Sequence, residues 1–240
     1  MIDDDDGDGI VNYYDLCPNT KLNTQVNSTG CQIDDVKIGD YYKGGIVVYR
    51  FVEDDYGYDP SNVKIIISSQ IDQSISQGTY SEDGVMWQKG VYSYQEQTTY
   101  FDLTNATFEG IGRGITNTDL IIQTLNTTKR DFKAARLAYE YVHEGYDDWF
   151  LPSLNELQIL HLNKDLIGGF EDDWHYYSST EISLGYAASI LFSSGEIVPY
   201  YKGPSSPGAR VRAIRYDIVD VVEDHNSGGS GGGDAGSTGS

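Results

Sequence analysis

The first 15 residues hold the chain's most explicit chemistry. Asp4, Asp6, Asp8, Gly9, Ile10, Asn12 and Asp15 stand at positions 1, 3, 5, 6, 7, 9 and 12 of a calcium loop. Alternate carboxylates in a tightly curled loop converge on one hard cation, and Gly9 permits the sharp turn. The Ile10 carbonyl supplies a further oxygen and a position-12 carboxylate closes the shell. A solvated aspartate run has no reason to place the Gly, the Asn and the final Asp correctly as well. The expected ligand set for Ca2+ is therefore Asp4, Asp6, Asp8, Ile10, Asn12 and Asp15. Asp in place of a bidentate Glu at position 12 points to a non-helical relative of the EF-hand loop.

Cys17 and Cys31 are the two cysteines of the chain. In a short segment without a core of its own they read as a disulfide, which closes a small loop and contributes ~3 kcal/mol. A zinc site would want more ligands nearby, and none of the four histidines lies in this segment. A disulfide implies an oxidising, extracellular setting. Sequons at Asn27, Asn105 and Asn126 agree with a surface protein.

Catalytic arrangements are missing elsewhere. His143-Glu144 is not followed by a second histidine at metalloprotease spacing, and no G-x-S-x-G elbow occurs. His143, His161, His175 and His225 are scattered. Asp147-Asp148 and Asp172-Asp173 are adjacent pairs, poor candidates for two glycosidase carboxylates. Gly110, Gly112 and Gly114 lack both the dinucleotide spacing and a Lys-Ser/Thr end, and read as a turn. The expectation is a protein that is not an enzyme. Exposed aromatics are the remaining functional candidates, because rings stack on sugars or pack on proteins. Those placed in loops and strand ends are Trp174, His175, Tyr176, Tyr186, Tyr200 and Tyr201.

Charge narrows the partner. The 240 residues carry 37 acids against 16 bases, a formal net charge of −21. Phosphate binding needs clustered Lys and Arg, so no nucleic acid partner is expected, and an anionic membrane surface is equally disfavoured. No apolar run approaches the ~18 residues of a membrane span, so no membrane insertion is expected. Residues 1–40 hold nine acids and two lysines. Residues 218–240 hold four acids and no base, and end in a Gly/Ser-rich stretch that reads as a flexible tail or linker. Met1 before the aspartates reads as the start of an excised fragment, with no basic and apolar signal region behind it.

The elements that must position these groups lie between. Ile46–Arg50, Val63–Ser68, Tyr176–Thr180, Ala187–Phe192, Glu196–Tyr200 and Val211–Tyr216 read as strands. A helix is expected over Asn117–Leu125, with Leu120, Ile121 and Leu125 on one side. A second would start at a Thr128/Asp131 capping box and carry Phe132, Ala135, Tyr139 and Val142 until Gly145. A third starts at Ser153/Glu156, with Leu154, Leu157 and Leu160 buried. Helices inside a sheet-rich chain without βαβ alternation indicate α+β.

Two resemblances follow from residues. The acidic loop continues into Cys17-Pro18-Asn19-Thr20 and then Gly30-Cys31, and residues 1–35 resemble a thrombospondin type 3 repeat. That implies a calcium-wrapped, irregular spacer. Residues 36–217 carry Lys37-Ile-Gly-Asp-Tyr41, Trp149-Phe-Leu-Pro152 with Glu156-Leu157, Tyr176-Tyr-Ser-Ser-Thr-Glu181, Phe192-Ser-Ser-Gly195 and Val211-Arg-Ala-Ile-Arg215. They resemble the Lcl C-terminal domain family, with Tyr177 where Trp is more usual. That resemblance implies a C-type-lectin-like fold related to the sulfatase-modifying enzyme class, but without its activity, since residues 36–240 contain no cysteine.

The sequence-level expectation is thus an extracellular adhesion module on a calcium-stiffened spacer, located on a cell or virion surface. Its partner would be a glycan or protein at a cell surface. The alternative is a structural subunit of an extracellular filament or virion, assembled by self-association. Trp149, Leu151, Pro152 and Leu157 are expected in the core, and Arg212 and Arg215 are expected to pair with acids.

Overall fold

The computed structural model describes residues 3–15, 17–20, 22, 26, 30, 36–73, 84–128, 133–203 and 208–219. The chain divides into two units, one containing Met1–Asp35 together with Asp220–Ser240, the other Val36–Val219. Among the described residues of the first unit there are turns and bends but no helix. Short-range hydrogen bonds shape it. Asn12 N donates to Asp3 O at 2.9 Å, and the buried Thr20 hydroxyl donates to Cys17 O and Gly30 O.

The second unit is α+β. Strands β1 (Tyr41–Tyr42), β2 (Gly45–Arg50) and β3 (Lys64–Ser68) precede the hairpin β4 (Val91–Ser93) and β5 (Thr98–Tyr100). Among the described residues four helices follow: α1 (Gly114–Thr128), α2 (Lys133–Tyr139), α3 (Leu154–Leu162) and α4 (Lys164–Ile167). Strands β6 (His175–Glu181), β7 (Tyr186–Leu191), β8 (Glu196–Tyr201) and β9 (Ile214–Ile218) end the unit. One antiparallel sheet has the order β1-β2-β3-β9, so the last strand lies beside β3, near the start of the unit. A second antiparallel sheet is β6-β7-β8, and β4-β5 pair with each other.

The core lies where α3 packs between the two larger sheets. Leu154, Leu157 and Leu160 of α3 meet Ile46, Val48, Ile66 and Ile214 from one sheet, and Tyr176, Ala188 and Ile190 from the other. The β-branched runs supply flat apolar surface, and the leucines at helical spacing fill it. Trp149, Leu151 and Leu157 are buried, as their sequence context indicates.

Polar residues build part of the interior. The buried face of α1 is Gly114, Asn117, Thr118 and Ile121, whereas Leu120 and Leu125, expected on it, are only half-buried. Asn117 exchanges hydrogen bonds with the Phe108 backbone, and Thr118 Oγ1 with the Leu151 backbone. The neighbouring segments are irregular, so their orphan amide groups need side-chain partners, which leucine cannot offer.

Three other expectations are corrected. Thr128 is the last residue of α1 and not a helix start: its hydroxyl bonds back to Thr124 O, as those of Thr124 and Thr127 do to Leu120 O and Gln123 O, so it is not free to cap a new helix; Asp131 and Phe132 lie outside the described residues. Helix α2 stops at Tyr139, its buried stripe is Ala134, Ala135 and Ala138, and Tyr139 and Val142 are exposed. The last strand begins at Ile214, not Val211. Residues 211–213 bond instead to Ser69 and Gln73, through Gln73 N to Val211 O, Ala213 N to Gln73 Oε1 and Ser69 N to Ala213 O.

Candidate functional site

In the acidic loop, ligand oxygens of Asp4, Asp6 and Asp8 lie within 4.8 Å of one another. Backbone amides hold each carboxylate in place. Gly7 N and Gly9 N donate to Asp4, Asp8 N and Thr20 N to Asp6, and Ile10 N to Asp8 Oδ1. Asn12 Oδ1 accepts from Asp5 N at 2.9 Å, which folds the loop back on itself. Asp15 reaches the same place, since a Cβ added to Gly30 would collide with its carboxylate and touch Asp8 Oδ2. Gly30 therefore has a steric role besides its left-handed φ of 78°. Asp8 Oδ2 is buried with no hydrogen-bond partner. Burial first, and the Asp6, Asp15 and Asp4 charges after it, push the Asp8 carboxyl up. Such an oxygen fits a divalent cation, as does the all-oxygen donor set. Cys17 is disulfide-bonded; Cys31, its expected partner, lies outside the described residues.

The six candidate aromatics do not form one surface. Tyr176 is fully buried in the core, where its hydroxyl donates to Asp72 Oδ2 and accepts from Glu171 N, both at 2.9 Å. It is a framework residue, and the expectation that it meets ligand is corrected: the alternation of β6 turns it toward α3. Tyr200 pairs with Ala187 and Tyr201 with Tyr186, so these two neighbours point to opposite sides of the sheet. His175 and Tyr200 share one side, with rings 4.5 Å apart, and burial pulls the imidazole pKa down. Tyr186 and Tyr201 meet edge-on on the other side, at 6.1 Å. Trp174 is half-buried beneath the Arg210 guanidinium, 4.4 Å from its ring centroid, and Arg210 Nε is buried without a partner.

A different cluster escaped sequence reading. The turn His143–Tyr146 is closed by His143 N to Tyr146 O and Tyr146 N to His143 O, at 3.0 and 2.9 Å. Its central residues Glu144 and Gly145 both have left-handed φ, 49° and 85°, the signature of a tight, twisted hairpin turn. Tyr141 stacks parallel to His143 and edge-on to Trp149, and Trp149 Nε1 donates to Tyr146 O. Tyr41, 50% exposed, directs its hydroxyl at the Glu144 carboxylate, with the Tyr141 and Tyr146 phenols close by. Beneath Tyr146, 4.2 Å from its centroid, lies Arg215. Its guanidinium forks onto Asp148 at 2.6 and 2.9 Å and donates to Asp217 at 2.7 Å, and Asp217 also accepts from Lys43. The legible signal was the run of aromatics and acids from Tyr139 to Trp149, which helical spacing obscured.

The deeply buried charges do other work. Arg212 donates to Asp72, Ser69 O, Gly168 O and Gly169 O. Lys202 Nζ bonds Glu181 Oε1 at 2.5 Å, and that carboxylate also accepts from Thr104 N and Asn105 N. Glu156 accepts from Gly112 N, Ser153 N and the Tyr216 hydroxyl. Each carboxylate meets two or more protein donors, which suits it to hold irregular chain together.

No protein-family model and no curated protein matches the chain. Among solved structures, a fimbrial protein from Bacteroides ovatus is similar at a TM-score of 0.37 and 14% identity, over 65% of this chain and 36% of that one. The chain therefore spans about a third of the fimbrial protein's length. So faint a likeness assigns neither fold nor function.

Proposed function

We propose that this chain is a non-enzymatic extracellular binding module, in which a C-type-lectin-like unit over residues 36–217 is carried on a thrombospondin type 3-like calcium repeat over residues 1–35. The ligand is a glycan or a protein at a cell surface. The observation that carries this reading is the contrast between two sets of polar groups. The fully buried charges are closed by protein partners, whereas Glu144 stands exposed on a tight turn, with half-buried Tyr146 at its corner and half-exposed Tyr41 of β1 facing it. Pre-organised, exposed rings bind at low entropic cost. No helix among the described residues is long and apolar enough to cross a membrane. A glycan array and binding to intact cells, both with the full chain, test the reading. Blank results in both would sink it.

In the repeat, Asp4, Asp6, Asp8 and Asp15 would hold Ca2+, with Ile10 and Asn12 completing the shell. The ion would supply charge compensation and cross-linking of the loop, not catalysis. At about 100 times its Kd, calcium is expected to stabilise the repeat by about 2.7 kcal/mol. Calorimetric titration with CaCl2 checks this. One saturable site should appear and weaken at least about tenfold in Asp8→Ala, the loss of one charged ligand. An absence of saturable heat up to about 10 mM, beyond the usual range of extracellular calcium modules, would remove the metal from the proposal.

One observation favours the second reading, a structural subunit of an extracellular filament or virion. The β4-β5 hairpin displays Val91, Tyr92, Tyr94 and Tyr100 to solvent, and its strands join neither larger sheet. Two-stranded ribbons are marginal alone, and exposed apolar strands invite association. Light scattering across a concentration series should then show growth that Tyr92→Ser with Tyr94→Ser abolishes. A monomer at every concentration rejects the subunit reading.

A further inference from the structure

We propose that the face made by Tyr41, His143, Glu144, Tyr146 and Asp148 is the ligand site, and that its ligand class is a neutral glycan. The inference rests on the binding-module reading above and adds a place and a chemistry to it.

Two requirements meet on this face. A pyranose offers a C–H surface to an aromatic ring and a rim of hydroxyls to hydrogen-bonding groups. Tyr41 is half exposed, and the half-buried His143 and Tyr146 stand at the two corners of the tight turn. Gly44, in the turn between β1 and β2, lies against the Tyr146 ring and Trp149, which brings β1 to this turn. The Tyr41 hydroxyl faces the Glu144 carboxylate, which accepts hydroxyl protons. Asp148, with its side chain 48% exposed, offers further acceptor capacity while Arg215 fixes its orientation. Turn geometry, the Trp149–Tyr146 hydrogen bond and the Arg215 fork hold these groups before any ligand arrives.

Charge excludes the other classes. Arg215 is shared between Asp148 and Asp217, and Lys43 pairs with the same Asp217. A sulfate, phosphate or uronate would find both cations already neutralised and Glu144 and Asp147 beside them. The Arg210–Trp174 pair is the rival location. There Arg210 Nε is buried without a hydrogen-bond partner, but the ring face of Trp174 is covered by the guanidinium and Asp72 lies 3.9 Å from it, which leaves no open ring for a sugar to stack on.

The test uses an array printed with neutral oligosaccharides and with sialylated, uronate and sulfated ones. It is probed with the full chain and with Tyr41→Ala, Glu144→Gln and the remote control Leu162→Ala, each checked by thermal melting. The expected result is binding to neutral glycans, at least about tenfold weaker in Tyr41→Ala and Glu144→Gln, the loss of one stack or one hydrogen bond set. Leu162→Ala should leave it unchanged. Binding confined to acidic glycans overturns the ligand class. Neutral-glycan binding that survives both substitutions overturns the site while leaving the module reading intact. A blank array overturns the glycan assignment, and with no binding to intact cells the module reading falls too.

Discussion

Replacing Glu156 with alanine is expected to lower the stability of the 36–219 unit by about 3–5 kcal/mol, since each buried donor left without a partner costs ~1–3 kcal/mol. Three donors depend on this carboxylate: Gly112 N at 2.8 Å, Ser153 N at 2.8 Å and the Tyr216 hydroxyl. They come from the turn before α1, the start of α3 and the last strand, so the loss would loosen three junctions together. Urea unfolding of the variant measures it, and a cost below about 1 kcal/mol, the size of an ordinary cap, would show that the carboxylate is only a cap. The pH dependence has a definite sign. Burial, offset in part by the Tyr216 and Ser153 hydrogen bonds, pushes the Glu156 carboxyl above its ordinary 4.5. The folded state therefore holds that proton more tightly than the unfolded chain. Its contribution is full below about 4.5, the unfolded value, and is lost as pH rises through the folded one. Glu156→Gln does not titrate, so the wild type should lose stability relative to it across that interval.

The second large effect is expected at Lys202. Its ammonium is fully buried, 2.5 Å from Glu181 Oε1 and 4.7 Å from the Trp87 ring centroid. Lys202→Met leaves the Glu181 charge in the interior with only two amide donors, Thr104 N and Asn105 N, and should cost about 3–5 kcal/mol. Lys202→Met with Glu181→Gln removes both charges and keeps an acceptor for those amides. The double variant should recover most of the loss, because a buried ion pair often does no better than a neutral pair of similar volume. A double-mutant cycle by urea unfolding reads the coupling directly. Additive losses would mean that Lys202 is held by Trp87 and not by the carboxylate.

These two carboxylates show where sequence reading reaches and where it stops. Ser153 and Glu156 are three residues apart, so one turn of helix brings them together wherever the segment lies, and the capping box is legible. The same Glu156 meets Gly112 and Tyr216 across 44 and 60 residues, pairings that no local pattern encodes. Glu181 was legible only as the end of a strand motif, and Lys202 gave no signal. The strand runs around Ile46–Arg50, Lys64–Ser68 and Tyr186–Leu191 were readable because β-branched and small apolar residues fill flat, buried surface. The aromatics were not separable. Tyr176 and Tyr186 have the same side chain and both lie in strands, yet one is buried in the core and the other is 46% exposed.

What the sequence by itself determined is short in range: the spacing of Asp4, Asp6 and Asp8 around Gly9, the Ser153 cap, the strand runs and the surplus of acid. Backbone torsions and hydrogen bonds between near neighbours suffice for these. Only the tertiary structure decided that Asp15 and Gly30 close on Asp8, and that Asn117 and Thr118 line the inner face of α1. It also decided that the Tyr41 hydroxyl, 103 residues before Glu144, faces that carboxylate. Each depends on how distant segments pack, and packing assigns exposure and partners that a residue's type alone leaves open.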